Sequence, residues 1–186
     1  MAGQTRHDPS PISFAGEVLE LEGSLVLLVP EPASTRLPSR GQVAVRGTIT
    51  GHDFDAVVEP DGRRGHWIKI DHPLRQATGL SAGDTAEVTF EVAEEWPEPE
   101  VPPALATALD DAPRKVQQLW EDITPMARWE WVRWVGATKN SATRERRVDV
   151  SISKLDSGKR RPCCFDLAAC TDPELSRSGK LVQPSS

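Results

Sequence analysis

Residues 94–103, which read E-E-W-P-E-P-E-V-P-P, divide this chain into two parts with different patterns. The ten residues hold four prolines and four glutamates, and proline removes backbone hydrogen bonds from helix interiors and central strands. We therefore interpret residues 94–103 as an extended linker. Before the linker apolar residues alternate with polar ones, and after it they recur about every 3.6 positions, so a β-rich module precedes a helical one.

The segment before the linker, residues 13–93, consists of short apolar runs separated by turn residues, which is typical of a compact β-structure. A short helix is predicted at residues 74–78, ended by Gly79. Six strands are predicted at residues 14–21, 24–29, 43–50, 54–58, 66–70 and 85–92. So many strands in a segment of this length are most simply closed as a small barrel, because closure removes exposed sheet edges; an open sandwich is the alternative.

The segment after the linker, residues 104–160, has the apolar spacing of amphipathic helices. Pro125 begins one of the predicted helices and Gly158 ends the last. The apolar faces contain Leu105, Leu109, Val116, Leu119, Trp120, Ile123, Trp131, Trp134, Val135, Val148, Ile152 and Leu155. The pattern predicts three or four helices with short connections, and the whole chain is predicted to be α+β.

The two ends of the chain carry no regular pattern. Residues 1–12 are predicted to be disordered, and residues 161–186 are predicted to form an irregular tail that carries all three cysteines. No apolar run approaches the roughly 18 residues that cross a bilayer, and the N-terminus lacks the apolar core of a signal peptide. We therefore expect a cytoplasmic protein without membrane insertion.

Charge is distributed unequally between the two modules. Residues 1–99 hold 8 Lys and Arg against 16 Asp and Glu (−8), whereas residues 101–186 hold 14 against 11 (+3). The cations concentrate between residues 139 and 161, where eight Lys and Arg occur with three acids. Such a segment is a solvated helix face, an intramolecular partner for the acidic module, or a surface that binds an anionic ligand or nucleic acid.

One arginine of this basic segment lies on an apolar helix face. Arg144, Val148 and Ile152 are spaced by four, so the guanidinium shares a line with two apolar side chains. A charge in that position needs a carboxylate partner or marks a site for an anion. Thr143, directly before Arg144, is predicted to cap the helix.

Four tryptophans lie close together in the helical module. Trp120, Trp131 and Trp134 fall on the apolar faces and are interpreted as core residues, with an aromatic wall for a planar ligand as the alternative. Trp129 lies off the main face and is predicted to be the surface aromatic.

The cysteines give little support for a metal site. Cys163, Cys164 and Cys170 offer three thiolates, but adjacent ligands are awkward and no C-x-x-C is present. We expect neither a metal nor another cofactor. A thiol whose pKa is lowered by the neighbouring cations is the alternative reading of these cysteines.

Catalytic chemistry has one candidate group, His66, Asp71 and His72, which cluster in the sequence. His66 lies on a predicted strand and His72 in a turn, so surface or turn histidines are the preferred interpretation. No G-x-S-x-G, P-loop, G-x-G-x-x-G or H-E-x-x-H motif is present, and we expect the chain not to be an enzyme.

Both modules contain residues of a known pair of domains. The helical module carries P-A-L-A-T-A-L-D at residues 103–110, then Trp131, and then W-V-x-x-T-K-x-x-x-T-R-x-x-R on Trp134, Val135, Lys139, Thr143, Arg144 and Arg147. It resembles the YdeI/OmpD-associated (bacteriocin-protection) family, which usually has alanine at the position of Thr138. The β-rich module carries Phe14, Gly16, Val29, Pro30, Val45, Gly47, Ile49, Gly65, His66, Gly83 and Asp84. It resembles the domain of unknown function that commonly precedes that family, a small split β-barrel.

The resemblance covers roughly residues 13–160 and implies bacteriocin or stress tolerance, but no reaction, substrate or cofactor. We predict a small split β-barrel of about six strands, residues 13–93, followed by a helical module, residues 104–160, that binds an anion without catalysis. The predicted binding residues are Lys139, Arg144, Arg147 and, packing beneath them, Trp134. The alternatives are a nucleic-acid-binding regulator that uses the basic segment, and an enzyme or small-molecule binder in a groove where His66 and Arg64 face Arg144.

Overall fold

The computed structural model describes residues 10–162 and 166–184, which divide into two compact units. Among these residues, the barrel unit comprises 10–95, 167–170 and 177–184. The helical unit comprises 96–162, 166 and 171–176. Most of the predicted disordered N-terminus, and Cys163 and Cys164, lie outside the described residues.

Six antiparallel strands close the barrel in the order β1-β2-β5-β4-β3-β6, which confirms the predicted α+β class and barrel architecture. The strands are β1 (Ile12–Leu21), β2 (Ser24–Val29), β3 (Val43–Ile49), β4 (His52–Pro60), β5 (His66–Ile70) and β6 (Thr85–Val92). Two hairpins turn on residue pairs with positive φ, Glu22–Gly23 and Thr50–Gly51, the geometry that suits the right-handed twist of adjoining strands.

Two short helices accompany the barrel strands, α1 (Glu31–Ser34) and α2 (His72–Thr78). The second was predicted; Asp71 caps its start by accepting a hydrogen bond from the Leu74 amide, and Gly79 ends it with a φ of 69°. The first was not predicted, because four residues are too few to show a helical period.

The barrel core is built from inward-facing residues of all six strands. These include Val18, Leu27, Val45, Ile49, Phe54, Ile68, Val88 and Phe90. At Gly47, strands β3 and β6 approach so closely that a Cβ would overlap the Thr89 carbonyl oxygen and lie 2.6 Å from the Phe90 Cα. Only glycine fits this position, which is typical of a sharply bent strand.

Four helices form the described part of the helical unit: α3 (Pro103–Asp110), α4 (Arg114–Asp122), α5 (Pro125–Gly136) and α6 (Ser141–Asp156). Residues 93–102 contain neither helix nor strand. The core collects the predicted apolar faces, with Leu105, Val116, Trp131 and Val135 fully buried. Among the described residues, no helix is long and apolar enough to cross a membrane.

Most described residues after 166 form turns and irregular backbone, but a short hairpin gives this segment an order that the sequence did not predict. Two-residue strands β7 (Ser176–Arg177) and β8 (Lys180–Leu181) form a hairpin, and Cys170, Leu175 and Leu181 are buried. The Leu181 amide donates to the Asp61 carbonyl, and Arg63 Nη1 donates to the Leu181 carbonyl, so the last residues are fixed on the barrel unit. Isolated buried residues in a polar segment produce no periodic signal, which is why this order was missed.

Candidate functional site

The predicted anion site falls on one hairpin of the helical unit, formed by α5, a short turn and α6. Trp134 lies in the last turn of α5, Lys139 in the connecting turn, and Arg144 and Arg147 in the first two turns of α6. The sequence favours this hairpin because α5 begins with Thr124 as its N-cap and Pro125 at its first position, and α6 begins with Asn140 as its N-cap. The structure therefore brings all four predicted residues to this hairpin.

Both arginines donate to backbone carbonyls near the end of α5, Arg147 to one in the last turn of the helix and Arg144 to one in the connecting turn. Arg144 Nη2 donates to the Thr138 carbonyl at 2.8 Å, and Arg147 Nη1 donates to the Trp134 carbonyl at 2.7 Å. The last carbonyls of a helix lack intrahelical partners and carry partial negative charge, so cationic donors stabilise them. The motif residues thus fix the α5–α6 junction.

Trp134 is flanked by two cations from α6. The Arg147 guanidinium carbon lies 5.5 Å from the ring centroid, and the Lys154 ammonium lies 5.3 Å from it. Both distances are in the range of cation–π attraction. Lys154 was not among the predicted site residues, although its seven-residue spacing from Arg147 places both on the same helix face two turns apart.

Most charges of helix α6 lie on two flanks, with Arg144 and Arg146 between them. Glu145, Asp149 and Asp156 are spaced by four and seven, and Arg147 and Lys154 by seven. At about 100° per residue, the acidic flank and the cationic flank lie roughly 170° apart around the helix axis. We name Arg144, Arg147 and Lys154, together with the Trp134 ring, the cationic face.

The rest of the basic segment is largely neutralised within the helical unit. Arg160 pairs with Asp122 at 2.8 Å, Arg161 with Glu130 at 3.4 Å, and Lys139 with Glu174 at 3.5 Å. Lys139 is therefore the predicted site residue with a carboxylate partner. Among residues 10–162 and 166–184, neither Arg144 nor Arg147 pairs with a carboxylate.

Two expectations about the start of α6 need correction. The cap is Asn140, whose Oδ1 accepts the Thr143 amide at 2.9 Å, so the prediction that Thr143 caps the helix was wrong. Asparagine and threonine both favour the N-cap position, and α6 begins three residues earlier than the sequence suggested. A carboxylate or an anion was expected as the partner of Arg144, but its guanidinium donates to a backbone carbonyl.

A buried acid lies on α5 beside two arginines. Glu130 is 8% exposed and Arg133 is 7% exposed. Burial raises the pKa of Glu130, while the nearby Arg161 and Arg133 act against that rise. Arg133 Nε also donates to Thr171 Oγ1 at 3.0 Å. This group is a satisfied internal network and not an open site.

The tryptophans follow the core interpretation. Trp131 is fully buried, which confirms the prediction, and Trp120 and Trp134 pack against the same core while remaining half-buried. Trp129 is half-buried, makes an edge contact with Trp96 at a centroid distance of 6.5 Å, and donates from Nε1 to the Pro97 carbonyl. Of the four tryptophans, Trp134 is the one held against cations.

The predicted catalytic candidates have separate structural partners in the barrel unit. His66 is 1% exposed; its Nε2 lies 3.0 Å from the Gly41 carbonyl and its Nδ1 lies 2.7 Å from Ser34 Oγ. Because a carbonyl only accepts, Nε2 carries the proton and Nδ1 accepts from the serine hydroxyl. Asp71 caps α2, and His72 lies exposed in the first turn of that helix. Ser34 is itself 1% exposed, so this pair is closed to a substrate.

We expect the barrel unit to lose stability as the pH falls below about 6.5. Burial lowers the pKa of His66, and Arg40 lowers it further against the Gly41 carbonyl and Asp61. As the pH falls, His66 of the unfolded chain therefore takes up a proton before His66 of the folded chain does. The stabilisation is fully present above the pKa of His66 in the unfolded chain and is lost as the pH falls through its pKa in the folded chain. Urea midpoints measured from about pH 7.5 to about pH 5 check the slope.

The matched variants for this pH experiment are His66→Gln, which keeps a donor and an acceptor without titrating, and His52→Gln at an exposed position. The slope should be reduced in the first variant and retained in the second. An unchanged slope in His66→Gln would assign the acid sensitivity to other groups.

Among the described residues, no three His, Cys, Asp or Glu side chains gather closely enough to hold a metal ion. Cys170 is buried in the barrel unit.

The fold and the site define a two-unit protein. One unit is a closed six-stranded antiparallel barrel, and the other contains a helical hairpin whose junction is held by hydrogen bonds from two arginines. Residues 98–158 match the family model described as Bacteriocin-protection, YdeI or OmpD-Associated. Residues 14–90 match the model described as Domain of unknown function (DUF1905). The helical unit therefore matches the YdeI/OmpD-associated family, and the barrel unit matches the domain of unknown function upstream of it, as the sequence resemblance implied. No curated protein matches the chain significantly.

Proposed function

We propose that this chain is a non-enzymatic cytoplasmic binding protein whose helical unit recognises a small anion on the cationic face. In keeping with the description of its family, we place this binding in tolerance of bacteriocins or other stress. The observation that supports the proposal is that Arg144 and Arg147, both half-buried, are held in place by carbonyls and have no carboxylate partner among the described residues.

Guanidinium chemistry explains why these two arginines are suited to an anion. Each guanidinium offers five N–H donors in a planar fork, and one nitrogen of each is used by a carbonyl of α5 or the following turn. The carboxyl end of α5 neutralises only about half a charge. The remaining donors are pre-oriented and their positive charge is uncompensated, which lowers the entropy lost when an anion binds.

Trp134 and Lys154 add to the same face. The tryptophan ring keeps the Arg147 and Lys154 stems in fixed positions through their cation–π contacts. The acidic flank of α6 is turned away, so an approaching anion meets cations first. An inorganic phosphate or a pyrophosphate group has the charge and the oxygen geometry that a guanidinium fork binds.

We expect Arg147→Gln to weaken pyrophosphate binding about tenfold, because it removes one charge-assisted hydrogen bond. Titrating the ¹⁵N-labelled full chain with pyrophosphate, and following the Trp134 indole N–H signal, measures the affinity at the site itself. Isothermal titration calorimetry at constant ionic strength supplies the second measurement.

The matched control is Arg146→Gln, which removes the same charge one residue away. Arg146 is exposed and makes no hydrogen bond or ion pair with the described residues. It should change the affinity by less than about twofold, as expected for a screened surface charge. Equal weakening in both variants, or no movement of the Trp134 signal in the unsubstituted chain, would refute the anion site.

A nucleic-acid ligand is distinguished by its salt dependence. Binding of a DNA or RNA oligonucleotide that is far tighter than pyrophosphate binding, and that falls steeply with salt, would replace the small-anion proposal with the regulator alternative. Equal affinity for pyrophosphate with and without a competing oligonucleotide would support the proposal.

A further inference from the structure

The helical unit begins with a proline-rich stretch, W-P-E-P-E-V-P at residues 96–102, which takes no part in the anion site. Proline fixes its own φ and pushes the residue before it into an extended conformation. Six of these seven residues are a proline or precede one, and Pro102 has φ −56° and ψ 143°. These values are close to polyproline II, a conformation that the sequence therefore favours throughout the stretch. We name residues 96–102 the proline segment.

Exposure along the proline segment repeats every three residues, which is the period of a polyproline II helix. Trp96 and Pro102 are half-buried, and Pro99 between them is buried. Pro97 and Glu100, each one position further along, are exposed. One face of the segment is therefore covered and another faces solvent, as in a proline-rich ligand seated in a groove.

Two neighbouring residues of α5, Arg128 and Trp129, hold the proline segment. Trp129 Nε1 donates to the Pro97 carbonyl at 2.7 Å, and the Trp129 ring meets Trp96 edge-on at a centroid distance of 6.5 Å. The Arg128 side chain, 15% exposed, pairs with the Glu98 carboxylate. A polyproline II segment has no internal hydrogen bonds, so its carbonyls are free to accept from an indole N–H. We name Arg128 and Trp129 the Arg–Trp surface.

The proline segment satisfies Arg128 only in part. Arg128 Nη1 donates to Glu98 and Nη2 donates to the Ile123 carbonyl at 2.8 Å. Arg128 Nε is buried without a hydrogen-bond partner, and no other side-chain nitrogen or oxygen of residues 10–162 and 166–184 is in that state. A buried donor without an acceptor is costly, so the docked segment carries a penalty. A ligand that supplies one more acceptor would remove this penalty.

We propose that the Arg–Trp surface is a docking site for an acidic, proline-rich segment of a partner protein, and that the proline segment is an internal ligand that holds this site closed. The present occupant shows the chemistry that fits: an extended run of prolines and glutamates with an aromatic residue at its start. Such a segment loses little conformational entropy when it docks, because proline has already fixed its backbone. The ligand is a peptide rather than a small anion, and Trp129 rather than Trp134 reports on it, so this proposal and the anion site stand or fall separately.

The proline segment stays tethered at both ends when it leaves the surface. On one side the Ala93 amide donates to the Ala44 carbonyl at 2.9 Å, and on the other α3 begins at Pro103. An internal ligand on such short connections competes at an effective concentration on the order of millimolar. A free peptide should therefore bind the unsubstituted chain weakly, and it should bind more tightly once the contacts of the internal segment are removed.

The test uses the ¹⁵N-labelled full chain and a synthetic peptide with the sequence of residues 95–103, E-W-P-E-P-E-V-P-P, as the probe. The double variant Trp96→Ala with Glu98→Gln removes the ring contact and the ion pair of the internal segment. This variant should bind the peptide at least about tenfold more tightly than the unsubstituted chain, with movement of the Trp129 indole N–H signal. Glu98→Gln alone, a milder change, should give an intermediate affinity.

Two controls accompany this titration. Glu94→Gln with Glu95→Gln removes two exposed carboxylates just before the proline segment and should leave the affinity within about twofold of that of the unsubstituted chain. A peptide with alanine at every proline should bind the Trp96→Ala, Glu98→Gln variant about tenfold more weakly, because it is not held in polyproline II.

Three results would overturn the peptide-docking assignment. Absence of peptide binding to the double variant and to Glu98→Gln would show that the proline segment is a permanent part of the helical unit. Equal affinity for the alanine peptide would remove the polyproline II requirement. Dimerisation of the double variant in analytical ultracentrifugation, without peptide binding, would make a second copy of this chain the partner instead.

Discussion

Gly47→Ala is expected to destabilise the barrel unit by about 3 kcal/mol or more, the upper part of the range for overpacked positions. The added methyl group overlaps the Thr89 carbonyl oxygen and lies within 3 Å of both the Cα and the Cβ of Phe90. These are backbone and near-backbone atoms of β6, which cannot rotate away. Strands β3 and β6 must separate, and their five-residue ladder from Val45 to Ile49 is disturbed. A domain with typical marginal stability would lose a large share of it.

The measurement must report on the barrel alone, since the two units need not unfold together. Hydrogen exchange by mass spectrometry over residues 43–60 and 85–92 does so. Gly16→Ala is the matched control, since it also lies on a barrel strand. The tightest contact of its new Cβ is with the Cδ1 atom of Leu27 at 3.0 Å, the end of a side chain, and the nearest backbone atom, the Leu28 carbonyl oxygen, is at an ordinary 3.7 Å. Equal loss of protection in the two variants would contradict the close-approach argument.

The barrel and helices were predictable because their signals are local. Alternation of apolar residues defined the strands, and Gly79 and Pro125 marked helix ends from chemistry confined to a few residues. The order of strands was not predictable, since β2 pairs with β5 and β3 with β6 across long stretches of chain. Helix α1 and the hairpin at residues 176–181 were missed because neither is long enough to show a period.

The sequence showed only part of the candidate anion site. Arg144 stood out because a charge shared a line with apolar residues, and the structure places it at a helix junction. That its partner is the Thr138 carbonyl depends on the path of the α5–α6 turn, which spacing does not fix.

Trp131→Ala is expected to destabilise the helical unit by about 3–5 kcal/mol, the usual cost of removing a fully buried large aromatic. The side chain has no exposed surface and packs in the core between helices α3 to α6. Its Nε1 donates to the Arg160 carbonyl at 3.1 Å, so the substitution also leaves that carbonyl without its partner. Urea unfolding followed by far-UV circular dichroism measures the loss, since helix signal comes mainly from this unit.

Trp129→Ala is the control, because it removes the same side chain two residues away on the same helix, at a half-buried position. It loses an edge contact with Trp96 and one hydrogen bond to Pro97, so we expect a cost of about 1–2 kcal/mol. If the Trp131→Ala protein remains folded, Arg144 and Arg147 should still donate to the carbonyls at the α5–α6 junction. Pyrophosphate should then still shift the Trp134 signal. A folded Trp131→Ala protein that has lost pyrophosphate binding would mean that Trp131 shapes the anion site in addition to its role as a core residue.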